Sequence, residues 1–235
     1  MGPRRALLAA LGASLAATAA SRAVAAPARA STVDLPLDGP FTSLRLEVPG
    51  DYAIRPASTP YLRLTAEPEV AASIRARRRG DELVVEAARS FRAREPIRIE
   101  IGYRTLRRAR VEGAADVAID GPRDGALEVV VRGAGDVHLA GLNLSALRVD
   151  IEGSATVTAD GAATEQTVGV KGAATYEAGR LKSRRVAIEL DGSSDATVDA
   201  AERLVARVDG TSTVRYRGNP RVEQTVGGVG SVERI

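Results

Sequence analysis

A glycine-centred motif recurs along the second half of this chain, and its regular spacing restricts the fold more than any other feature of the sequence. Each copy has an apolar residue two positions before the glycine. Two residues, both small in every copy but the last, then Asp, Thr or Ser, then an apolar residue follow it. Successive copies are 20, 20, 19, 20, 18 and 18 residues apart, with glycines at Gly113, Gly133, Gly153, Gly172, Gly192, Gly210 and Gly228. A period near twenty predicts stacked units in which equivalent residues form columns.

The residues on both sides of each glycine alternate as β-strands do. Around Gly133, Val129 and Val131 precede the glycine, Val137 and Leu139 follow it, and polar residues separate most such pairs. This period of two indicates strands with one buried face. The leucine spacing of leucine-rich repeats is missing. The sequence therefore predicts an all-β fold, a parallel β-helix (solenoid) of about 18–20-residue coils, with a looser N-terminal β region.

The seven glycines are predicted to be structural corners. A residue without Cβ accepts a positive φ and lets the neighbouring coil approach closely. The third residue after each glycine is Asp, Thr or Ser, types whose side chains bond nearby backbone N–H groups in turns. This column reads Asp116, Asp136, Thr156, Thr175, Asp195, Thr213 and Ser231.

Four segments are expected along the chain. Residues 1–25 are interpreted as a signal peptide and residues 26–36 as a linker. Residues 37–110 are expected to form irregular β coils, with a short helical insertion over 67–79. Residues 111–235 are expected to form the regular β-helix repeats.

The N-terminal segment has the features of a secretory signal peptide. Arg4 and Arg5 precede an Ala/Leu run over 6–20, and Ala23-Val24-Ala25 matches a cleavage site. Both Sec and twin-arginine export remain open. The apolar run is too short for a transmembrane span, and without cysteine the chain has neither a lipidated Cys anchor nor a disulfide. We expect a bacterial periplasmic, secreted or cell-surface protein, cleaved near Ala25.

With these features the sequence resembles the head GIN domain family, a family of unknown function that is also called the putative auto-transporter adhesin family. The resemblance covers about residues 37–235. It rests on Phe41-Thr42-Ser43-Leu44, the strand over 97–101, the corner over 133–137, and the closing runs over 216–220 and 228–232. It implies a β-helical secreted or cell-envelope protein, and it supplies no catalytic residues to transfer.

The charge pattern does not indicate nucleic-acid binding. Arg4, Arg5 and Arg22 lie in the signal segment, and the rest of the chain has 30 basic and 30 acidic side chains. Two local basic runs remain, which we interpret as solvated surface; a site for an anionic polymer is the alternative. They comprise Arg75, Arg77, Arg78 and Arg79, and then Arg104, Arg107, Arg108 and Arg110.

The sequence offers no strong catalytic or cofactor site. The single histidine, His138, is predicted on the surface beside Ala118 and Thr158, and there is no cysteine. Asp116 and Asp136 form a weak candidate site, because adjacent coils place them roughly 5 Å apart. They are interpreted as turn caps, with a calcium site or an acid/base pair as alternatives.

Two functional hypotheses follow. The first is a non-enzymatic secreted or cell-envelope protein with an adhesin-like, binding or structural role, whose partner is an envelope protein or a glycan. The second is a carbohydrate-active β-helix enzyme, a lyase or hydrolase acting on envelope or matrix polysaccharide. The sequence predicts no cofactor, no nucleic-acid partner and no transmembrane segment.

Overall fold

The computed structural model describes residues 29–37 and 39–235, and it shows a β-solenoid of about six turns with coils about 20 residues apart. The predicted signal peptide lies outside these residues. The elements are β1 (Ser31–Asp34), β2 (Ser43–Leu46), β3 (Gly50–Pro56), β4 (Tyr61–Ala66), α1 (Pro68–Ala71), β5 (Ile74–Arg79), β6 (Glu82–Ala87), β7 (Arg98–Tyr103), β8 (Arg108–Asp120), β9 (Ala126–Gly172), β10 (Thr175–Gly192), β11 (Asp195–Gly210), β12 (Thr213–Arg217), β13 (Arg221–Val226) and β14 (Ser231–Arg234).

Each regular coil contains two strand segments joined at a glycine corner. We call the sheet formed by the segments before the corners the pre-corner sheet; it includes 108–112, 128–132, 148–152, 167–171, 185–191, 203–208 and 221–226. The segments after the corners form the post-corner sheet. All pairs from β8 to β14 are parallel, and the corner glycines stack directly, as Gly113 on Gly133 and Gly172 on Gly192.

Parallel stacking begins before residue 111. β2 and β3 both pair in parallel with β8, so residues 43–56 already form a coil. Antiparallel pairs extend both sheets toward the N-terminus: β5 with β6 in the pre-corner sheet, and β4 with β7 and β1 in the post-corner sheet. Ser31–Asp34 is therefore an edge strand that pairs with β4, although it was assigned to the linker from sequence. Four residues are too few to show the period of a strand in the sequence.

The helical insertion is shorter than the expected 67–79. Helix α1 covers only Pro68–Ala71 and buries Val70. The following residues form strand β5, which begins with buried Ile74 and pairs with β6 through Arg79. Gly80, at a φ of +66°, turns the chain between these two strands. The strand is favoured because its four arginines face solvent while Ile74 packs inward and β6 offers backbone partners.

The interior is a continuous column of aliphatic side chains between the sheets. Fully buried members include Leu44, Ile54, Ile101, Leu139 and Leu147. A polar cluster lies within it: the Gln166 amide donates to the Tyr176 hydroxyl, and the Ser183 hydroxyl donates to Gln166 Oε1 at 3.3 Å. Each group thus has a hydrogen-bond partner, as burial requires.

Buried phenols make the fold sensitive to alkaline pH. Burial raises the pKa of both Tyr52 and Tyr176 well above its ordinary value, because the phenolate is poorly solvated inside the protein. The unfolded chain therefore releases these protons first, at about pH 10. The stabilisation is complete below that pH and is lost as the pH rises.

We accordingly expect the free energy of unfolding to fall above about pH 10. Denaturant titrations at a series of pH values measure it, and Tyr176→Phe should show a smaller fall than the wild type. Complete phenolate absorbance in a protein that is still folded would contradict this account.

Candidate binding groove on the pre-corner sheet

The corner glycines adopt the backbone that the repeat predicts for them. All seven have a positive φ, from +69° at Gly228 to +127° at Gly133. A Cβ built at Gly133 or Gly153 would lie closer than 3.0 Å to the carbonyl oxygen of the glycine one coil below. At Gly113 nothing lies within 4 Å of such a Cβ. The coils therefore approach most closely at the later corners.

Asp116 and Asp136 lie on adjacent coils at the start of the post-corner segments, and both are exposed. The backbone N–H of Asp136 donates to Asp116 Oδ1 at 3.1 Å. Asp51 continues the column because it is in register with Asp116. Among the residues that the structure describes, no group of three or more acidic or histidine side chains could hold a metal ion. The geometry thus gives Asp116 a capping bond to the next coil.

We expect Asp116→Ala to lower the free energy of unfolding by about 0.5–1 kcal/mol, since it removes one exposed hydrogen bond. Asp136→Ala should have a smaller effect, because its carboxylate caps no backbone N–H among the described residues. Thermal or denaturant melts of the two variants compare them. A rise in melting temperature on adding Ca²⁺, present in the wild type and absent in the double variant, would contradict the capping role.

His138 is exposed on the post-corner sheet in register with Ala118, and its Nδ1 is hydrogen-bonded to the Thr158 hydroxyl. These are the two neighbours that the column alignment predicts. Neither supplies a carboxylate that would orient the ring for acid/base work.

The first basic run is only partly neutralised, because two of its four arginines share one carboxylate on the neighbouring strand. The pre-corner sheet has the strand order β5-β6-β2-β8, which brings the two arginine runs onto one surface. Arg77 and Arg79 pair with Glu86 at 3.4 and 3.3 Å, and Arg45 lies 3.5 Å from Glu82. Exposed pairs of this kind contribute little stability individually. They do cancel charge locally.

A shallow groove runs across the coils on the outer side of the pre-corner sheet. It consists of three adjoining depressions of about 330, 550 and 200 Å³, which share lining residues. Short side chains form much of its floor, at Ala126, Ala146, Thr167, Gly169, Ala187 and Val205. Seven Arg or Lys and four acidic side chains also line it. This groove is a concave surface several coils long on the outer face of the solenoid.

This groove was not predicted from the sequence. The sequence does contain a feature that corresponds to it: short residues occupy outward positions at which the equivalent residues of neighbouring coils are Arg or Glu. Columns at these positions include Thr167, Ala187 and Val205. No motif marks them, since their effect depends on the height of the side chains in the adjacent columns.

Comparison with known proteins places the chain in a family. The family described as "Putative auto-transporter adhesin, head GIN domain" matches residues 40–220, and the chain belongs to it. No curated protein matches the chain. No helix in the described ranges is long and apolar enough to cross a membrane.

Several solved structures share the fold. A putative adhesin from Bacteroides fragilis NCTC 9343 has a TM-score of 0.80 and 24% identity, over 89% of this chain and 99% of that chain. A putative lipid binding protein from Parabacteroides distasonis ATCC 8503 has a TM-score of 0.67 and 16% identity, covering 88% and 97%. A putative adhesin from Parabacteroides merdae ATCC 43184 has a TM-score of 0.66 and 19% identity, covering 88% and 96%.

Proposed function

We propose that this protein is a non-enzymatic binding protein of the bacterial cell envelope or surface, and that it presents the pre-corner sheet to an envelope protein or a glycan. The observation that carries the proposal is the groove, an elongated concave surface on a rigid stack of paired strands. Membership of the adhesin family supports the same role. The inward columns are filled by aliphatic side chains, so binding is assigned to the outer surface.

Binding of the labelled mature protein to envelope fractions tests this role. We expect saturable binding that excess unlabelled protein displaces. Protease treatment of the fractions abolishes binding if the partner is a protein, and periodate oxidation abolishes it if the partner is a glycan. Retention no greater than that of an unrelated protein of similar charge would contradict the proposal.

The alternative is a carbohydrate-active enzyme that uses Asp116 and Asp136, which lie on adjacent coils. Incubation with acidic and neutral polysaccharides, followed by assay of reducing and unsaturated ends, separates the two functions. Product release that disappears in Asp116→Asn and Asp136→Asn variants would favour the enzyme. We expect no product release, because the Asp116 carboxylate already accepts the Asp136 N–H.

The proposed location rests on the N-terminal cleavage signal. We expect the exported chain to begin at about Ala26, since a signal peptidase selects small residues at the positions of Ala23 and Ala25. N-terminal sequencing of the periplasmic and extracellular fractions measures this. An Ala23→Leu/Ala25→Leu variant should remain uncleaved. Recovery of the wild type only as an intact cytoplasmic form would contradict the proposed location.

A further inference from the structure

The groove carries more positive charge than its own acids neutralise. Each of its four acidic side chains pairs with an arginine: Glu128 with Arg108 at 2.7 Å, Glu152 with Arg132 at 3.1 Å, Asp150 with Arg148 at 2.8 Å, and Glu165 with Arg185. Nothing is left among these acids to attract a cation. A groove ligand therefore meets a surface in which the uncompensated charge is positive.

Three cations that line the groove have no acidic partner within 4.0 Å in the ranges 29–37 and 39–235. They are Arg107, Arg110 and Lys171. Arg110 lies between Arg45 and Val130 in its column, so its neighbours in that column supply no countercharge. Its Nε is buried without a hydrogen-bond partner. An anion in the groove would therefore contact the two terminal Nη groups of Arg110.

The separation of these cations indicates an extended ligand. Arg110 and Lys171 belong to coils three steps apart in the stack, which corresponds to roughly 14 Å along the axis. A single carboxylate or phosphate cannot contact both. The ligand must carry at least two anionic groups on a chain that lies along the groove.

The groove walls distinguish between classes of polyanion. Its carboxylates lie between the cations, and the lone pairs that their arginine partners leave free can accept hydrogen bonds from hydroxyl groups. None of the lining residues is aromatic, so nucleic-acid bases have no stacking partner there. A chain with many hydroxyls and several carboxylates fits both features.

We infer that the groove binds a linear acidic polysaccharide, with the uronate carboxylates held by Arg110 and Lys171 and the sugar hydroxyls facing Glu128, Asp150 and Glu152. This inference rests on the proposed binding function and names its ligand class. The contacts are charge-assisted and exposed, so binding weakens as the ionic strength increases.

The first test uses polygalacturonate, with dextran as a neutral control and single-stranded DNA as a second polyanion that has few hydroxyl groups. We expect the mature protein to bind polygalacturonate at low salt and to release it at high salt, with no binding to dextran. Equal or tighter binding to DNA would overturn the inference, because it would show that charge alone decides.

The second test uses the two lysines of the chain as paired reporters. Lys171 lines the groove, whereas Lys182 lies outside it and donates to Asp199 at 2.6 Å. Saturating polygalacturonate should slow amine labelling of Lys171 severalfold and leave Lys182 unchanged, as measured by peptide mass spectrometry. Equal protection of both lysines, or of neither, would overturn the inference.

Variants that remove one positive charge test whether the cations of the groove hold the ligand. Lys171→Gln should weaken binding about threefold to fivefold, the effect of one exposed ion pair. Arg110→Gln should weaken it at least as much, because Arg110 is half-buried. Arg180→Gln removes the same charge at an exposed site outside the groove and should not weaken binding. Lys171 is exposed, so its variant stays folded even if Arg110→Gln loses stability.

The two proposals fail differently. If the protein binds envelope fractions while Lys171→Gln and Arg180→Gln behave alike, the groove assignment is wrong and the binding function stands. If the wild type binds neither envelope fractions nor polygalacturonate, the binding function itself is wrong.

Discussion

Replacing Gly153 by valine should lower the free energy of unfolding by about 3–5 kcal/mol, because backbone strain and a steric clash add together. Gly153 has a φ of +125°, a backbone conformation that residues with a Cβ rarely adopt. Its Cβ would also lie within 3.0 Å of the carbonyl oxygen of Gly133. That oxygen belongs to the backbone of the next coil and cannot move without disturbing the stack.

Gly113→Val is the matched control for this variant. Gly113 has a φ of +90°, and nothing lies within 4 Å of a Cβ there, so only the strain of about 1–3 kcal/mol applies. Denaturant melts of the two variants separate the clash from the strain. Equal losses at the two sites would show that close approach of the coils has no role. Unchanged stability in both would remove the structural role of the corner glycines.

Gln166→Leu should lower the free energy of unfolding by about 1–3 kcal/mol, because it leaves the buried hydroxyl of Tyr176 without a partner. The two groups lie inside the solenoid, at 1% and 0% exposure, where water does not replace the lost hydrogen bond. Tyr176→Phe should have a similar effect, since it leaves Nε2 of Gln166 without an acceptor.

The double variant Gln166→Leu/Tyr176→Phe provides the control. Removing both partners leaves no unsatisfied phenol, so the combined loss should be smaller than the sum of the single losses. A double-mutant cycle by chemical denaturation measures this coupling. Additive losses would show that the hydrogen bond contributes nothing beyond the packing of each side chain.

The coil period and the corners could be predicted from the sequence because their causes are local and repeated. A positive φ requires glycine at each corner, and strand segments with one buried face require alternation on both sides of it. The stacking of Gly113 on Gly133, and of Ala118 on His138, follows from that period. Family membership follows from the same repeated residues.

The N-terminal elements were predicted less well. Residues 31–34 and 74–79 have little periodicity of their own, and they become strands because β4 and β6 offer open edges. Edge pairing of this kind is decided by the partner strand rather than by the segment. The sequence assigned residues 31–34 to a linker and residues 74–79 to a helical insertion, and both antiparallel pairs were missed.

The candidate site was also predictable only in part. The sequence alone placed Asp116 and Asp136 in one column, but only the tertiary structure showed that the Asp116 carboxylate accepts a bond from the next coil. The groove and its unpaired cations were decided entirely by the tertiary structure. The ion pairs of the groove, such as Arg132 with Glu152, join side chains from adjacent coils. Whether an arginine is neutralised therefore depends on the position of a side chain one coil away. A period in the sequence aligns the columns, whereas the depth and charge of a surface arise from contacts between them.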